Sequence, residues 1–83
     1  MNTELWIGKA IESVRKLEDG TVFVLKDLFE GVEWKSLPVG ERTTFGRHFK
    51  NKVVERAIAD VYLNGKAQNN STRYIIQKGR DKL

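Results

Sequence analysis

Eighty-three residues, 40% hydrophobic and 31% charged, build one small globular domain and exclude two, because a second would leave too little chain for either core. With no cysteine, disulfides, thiolate metal sites and thiol-based catalysis are excluded as well. No run approaches the roughly eighteen apolar residues of a membrane span, and the N-terminus lacks the charged-then-apolar pattern of a secretory signal, so a soluble cytoplasmic protein is expected.

Charge is polarised along the chain. Residues 1–41 carry five Lys/Arg against eight Asp/Glu, or −3, and residues 42–83 carry ten against three, or +7, which recovers the net +4. A basic half in a chain of pI near 9.6 suggests a surface for an anion, most often nucleic acid.

From Thr3 to Leu17, Trp6, Ile7, Ala10, Ile11, Val14 and Leu17 recur at three- and four-residue intervals, which predicts an amphipathic helix. Asn2 or Thr3 caps it and Gly20 stops it. Thr21 to Leu25 is rich in β-branched and aromatic residues and predicts a short strand. Asp27 and Glu30 have the spacing of a capping box for a second, short helix, with Gly31 bending it early and Pro38 marking a turn. The third helix is expected at about 40–56, with Phe45, Phe49 and Val53 on its apolar arc and Gly46 beside it leaving room for another helix. Ile58 to Leu63 and Thr72 to Lys78 read as strands joined by a polar tip, Asn64 to Ser71, so a β-hairpin covers about 58–78. Residues 1–78 form the expected domain and 79–83 a short C-terminal tail.

The predicted order is helix, strand, helix, helix, strand, strand: an α+β domain of the small winged helix-turn-helix type. In such domains the third helix presents side chains to the DNA major groove and the hairpin, or wing, lies along the backbone or minor groove.

The segment Val22-Phe23-Val24-Leu25-Lys26-Asp27-Leu28-Phe29-Glu30-Gly31-Val32-Glu33-Trp34, with Leu37-Pro38 and Gly46-Arg47-His48-Phe49, resembles a small bacterial family described as a domain of unknown function. Its members occur in genomes, plasmids and phages and often bear the loose label of single-stranded DNA binding. The likeness spans roughly residues 20–54 and implies a compact winged-helix-like fold. It marks a scaffold rather than a chemistry and does not reach the hairpin.

Candidate contacts follow from the basic half. On the third helix, Arg47 and Asn51 suit bidentate bonds to guanine and adenine edges, while Lys50, Thr43, Thr44 and His48 suit phosphates. On the hairpin, Lys66, Asn69, Asn70 and Arg73 can donate to phosphate or to minor-groove acceptors. The plainer alternative for both groups is an ordinary solvated helix face and a turn-rich hairpin tip. Catalytic residues, metal ligands and cofactors are not expected: His48 is the single histidine, without a partner at metal or nucleophile spacing. Trp6, Trp34, Phe23, Phe29, Phe45 and Phe49 read as core, with base stacking as an alternative for Trp34, Tyr62 and Tyr74. Glu30, Glu33 and Glu41, together with Glu18 and Asp19, could form an acidic patch for a basic protein partner or for a weak homodimer.

The sequence therefore points to a non-catalytic protein that binds duplex DNA through its third helix and hairpin, in a regulatory or mobile-element setting. The alternatives are a protein-binding module or inhibitor on the same scaffold and a single-stranded DNA binder.

Overall fold

The computed structural model describes residues 2–68 and 71–79 and begins with helix α1, Thr3–Arg15. Asn2 caps it, its Oδ1 accepting from the Leu5 N–H at 3.1 Å, and its stripe of Ile7, Ala10 and Val14 is buried. The helix stops at Lys16 rather than Leu17, and Gly20 is not its stop. With φ of 86°, Gly20 instead turns the chain into the sheet, its N–H donating to the Ile76 carbonyl at 2.7 Å.

Strand β1 is only Val22–Phe23, shorter than the expected 21–25. Asp27 ends it: its Oδ2 accepts from the Val24 N–H at 3.1 Å and fixes a 3-10 helix over Leu25–Leu28. The expected capping box between Asp27 and Glu30 is thus absent, because Asp27 serves the turn before it. Helix α2, Gly31–Lys35, begins at Gly31 instead of bending there. Pro38 then caps helix α3, Val39–Val54, without a side-chain bond.

Helix α3 buries Phe45, Phe49 and Val53 as its period demands. It ends in a Schellman motif, with the Arg56 N–H donating to Val53 and the Ala57 N–H to Lys52, and with Arg56 left-handed at φ of 63°. A second left-handed residue, Asp60 at 67°, breaks the chain again, so Ile58 plugs the core from a turn and strand β2 starts only at Val61. Strands β2, Val61–Lys66, and β3, Thr72–Ile76, form the hairpin. The Asn64-Gly65 pair expected in its tip lies inside β2, where the register slips between Leu63 and Lys66 and Gly65 at φ of 76° accommodates the bulge. The Ala67 N–H, donating to the Ser71 carbonyl at 2.8 Å, closes a tip shorter than expected.

The three strands form one antiparallel sheet in the order β1-β3-β2, with Phe23 opposite Tyr74 and Leu63 opposite Tyr74 across the two ladders. Three α-helices and this sheet make a small α+β fold whose layout is compatible with a winged helix. A string of aromatic rings ties the layers together. Trp6 meets Phe29 at 4.9 Å, Phe29 meets Phe45 at 5.7 Å, Phe45 meets Phe49 at 6.3 Å, and Phe49 meets Tyr74 edge-on at 5.1 Å. Rings from α1, α3 and β3, with Phe29 between the 3-10 helix and α2, thereby join in one continuous core. Among the described residues no helix is long and apolar enough to cross a membrane.

Candidate nucleic-acid interface

Helix α3 carries two kinds of exposed surface. At about 100° per residue, Thr43, Gly46, Arg47 and Lys50 follow one another down the side of the helix adjoining its buried stripe. That side faces an open groove of about 630 Å³, whose other walls are Leu25 and Lys26 of the 3-10 helix, Trp34 of α2, and Ser71, Thr72 and Tyr74 of the hairpin. Thr44, His48 and Asn51 are exposed too, but lie further round α3 and do not line the groove. The six positions expected as one face are therefore two.

Among the described residues four cations line the groove, Lys26, Arg42, Arg47 and Lys50, and no acidic side chain does. Lys26, Arg47 and Lys50 are exposed, whereas Arg42 is half-buried. Arg42 projects within roughly 20° of Phe49 and Val53 on the helical wheel, which carries its stem along the core before its head reaches the groove. Its Nε is enclosed with no hydrogen-bond partner among the described residues. Gly46 leaves the groove open opposite the 3-10 helix. A Cβ there would meet Leu25 Cδ1 at 3.7 Å, an ordinary contact, so backbone crowding does not require the glycine.

The hairpin divides its basic residues between two faces. Lys66 pairs with Thr72, a groove residue, but does not itself line the groove, while Arg73, the residue after Thr72, projects from the opposite face and lies over Gly65. Asn69 and Asn70 lie outside the described residues. Trp34 stacks on Phe29 at 12° and 5.5 Å and is half-buried. Tyr74, 1% exposed, and Tyr62, 9% exposed, are core residues rather than stacking platforms. Burial pushes the Tyr74 phenol up to about 12.

The acidic residues do not gather into one free patch. Glu33 pairs with Lys9 at 3.4 Å across α1 and α2, and the Asp19 Oδ1 accepts from the Lys78 N–H at 2.8 Å. Glu30 is exposed and Glu41 half-buried. His48 stands exposed on α3, and among the described residues no three His, Cys, Asp or Glu side chains cluster as metal ligands.

A family model for a domain of unknown function, DUF1413, matches residues 8–75. The chain belongs to that family. The matched span runs from α1 to the penultimate residue of β3, so the family's domain includes the hairpin as well as the segment around residues 20–54. No curated protein and no solved structure matches the chain.

Arg42 and Lys26 were not among the sequence candidates. The spacing of Arg42, Gly46 and Lys50, each four residues apart, is a signal that could have found the first. Lys26 directly follows the predicted strand, where nothing in the sequence singles it out, and the 3-10 helix turns it toward α3.

Proposed function

We propose that this domain binds duplex DNA without catalysis, placing the exposed face of α3 against base edges and the neighbouring groove and hairpin along the phosphate backbone. The observation that carries this reading is the charge of the groove: among the described residues, four cations from two separate elements and no carboxylate. A surface of this kind gains affinity by displacing the counterions condensed on a nucleic acid. Beside it, Arg47 and Asn51 offer the bidentate donors and acceptors that base edges require, and both are exposed.

A second reading, single-stranded DNA binding, is favoured by Trp34, which lines the groove and is backed on one side by Phe29. Basic grooves walled by an aromatic ring hold single strands by stacking a base. Fluorescence anisotropy titrations of random-sequence duplex and single-stranded DNA at several salt concentrations test both. Tighter duplex binding with steep salt dependence supports the first, and tighter single-strand binding that falls in Trp34→Ala supports the second. Absence of binding to either at low salt overturns both in favour of a protein partner.

A further inference from the structure

We propose that Arg42 anchors a phosphate seat at the inner wall of the groove, where its Nε–H donates to an oxygen of a DNA backbone phosphodiester. The inference takes the source of the phosphate from the DNA-binding reading, but the seat itself rests on Arg42. A donor enclosed without a partner is costly in a folded chain, and an anion entering the groove removes that cost. The rest of the guanidinium adds parallel donors whose fork matches phosphate oxygens. Among the described residues, no carboxylate lines the groove to compete for it.

The remaining cations indicate an extended ligand. Lys50 lies eight positions after Arg42 on α3, a rise of about 12 Å, so the two heads serve different phosphates. Lys26 approaches from the 3-10 helix, and Thr72 offers a hydroxyl from the hairpin. A strand of backbone satisfies this spread, whereas one small anion occupies only part of it.

The test uses the full chain. In nitrogen-15 NMR spectra the Arg42 Nε–Hε signal is assigned by its loss in Arg42→Lys, then followed as duplex DNA or inorganic phosphate is added. The seat predicts that the signal moves with duplex and, at higher concentration, with phosphate. Arg42→Gln should weaken duplex binding about tenfold and lower the magnitude of the log-affinity against log-salt slope by about 1. Arg42→Lys should restore the slope but not the affinity, because it returns the charge without the fork. If the parent binds duplex while the Arg42 signal stays still, or Arg42→Gln binds as the parent does, the seat is overturned and the DNA reading stands. If phosphate moves the signal but duplex does not bind, the seat stands and the DNA reading is overturned. Silence to both ligands overturns the two together. Should Arg42→Gln melt as an unfolded chain, the NMR measurements on the parent decide alone.

Discussion

Tyr74 joins the core to the groove: it lines the groove, stacks on Phe23 at 5.6 Å, meets Phe49 edge-on, and is 1% exposed. A phenolate there would lose its hydration, which is why its pKa rises to about 12. The folded state keeps this proton where the unfolded state, at the ordinary value of 10.0, releases it. The stabilisation is therefore complete below about pH 10 and lost as pH climbs toward 12. Denaturant titrations at about pH 9 and about pH 11 should show the parent losing on the order of 1 kcal/mol more than Tyr74→Phe. Equal losses in the two proteins would assign the alkaline transition to another group. Phe45 bears more of the fold than any single polar contact, since its ring meets those of Trp6, Phe29, Trp34 and Phe49. Phe45→Ala should cost about 3–5 kcal/mol, a large share of the roughly 5–15 kcal/mol that holds a domain folded. A thermal melt with a native-like midpoint would contradict the packing.

At the level of elements, the residues that pack over several turns were the ones legible in the sequence. Phe45, Phe49 and Val53 announced α3, and Asn2 announced the start of α1, because period and cap are local properties of the chain. Boundaries set by a single backbone angle or side-chain bond were not legible. Asp27 bonds backward to Val24 rather than forward to Glu30, and Arg56 and Asp60 take left-handed angles that are uncommon outside glycine, although Asp adopts them more readily than Arg, displacing β2 to Val61. Asn64-Gly65 is a strong hairpin signal, yet Gly65 spends its conformational freedom on a bulge inside the strand. The candidate site was half legible for the same reason. Exposed Arg47 and Lys50 follow from periodicity, while Arg42 falls on the apolar arc and only the three-dimensional groove gives it a use. On the DNA-binding proposal, the hairpin tip adds to the interface without holding the fold. Replacing residues 67–71 with a two-residue turn should leave the melting midpoint nearly unchanged, because closure entropy varies slowly with loop length. Duplex affinity should fall. An unchanged affinity in anisotropy would remove the hairpin from the proposed interface.

For the whole molecule, charge and shape make separable claims. The net +4 and the concentration of cations after residue 41 attract any polyanion from a distance, with a strength that depends on total charge and is screened by salt. The groove makes a local claim: only those cations that line it exchange counterions for phosphates. Helix α3 holds a matched pair that distinguishes the two. Lys50 and Lys52 are both exposed, two residues apart on the same helix, but roughly 200° of rotation separates them and only Lys50 lines the groove. Lys50→Ala and Lys52→Ala remove the same charge from the same element, and neither residue belongs to the core. If the groove holds the backbone, Lys50→Ala lowers the magnitude of the log-affinity against log-salt slope by about 1, and Lys52→Ala leaves it near the parent's. Equal, small losses in both would mean that net charge alone draws DNA to this protein and that α3 has no preferred side. A larger loss from Lys52→Ala would put the interface on the face opposite the groove, where His48 lies nearer than Arg47.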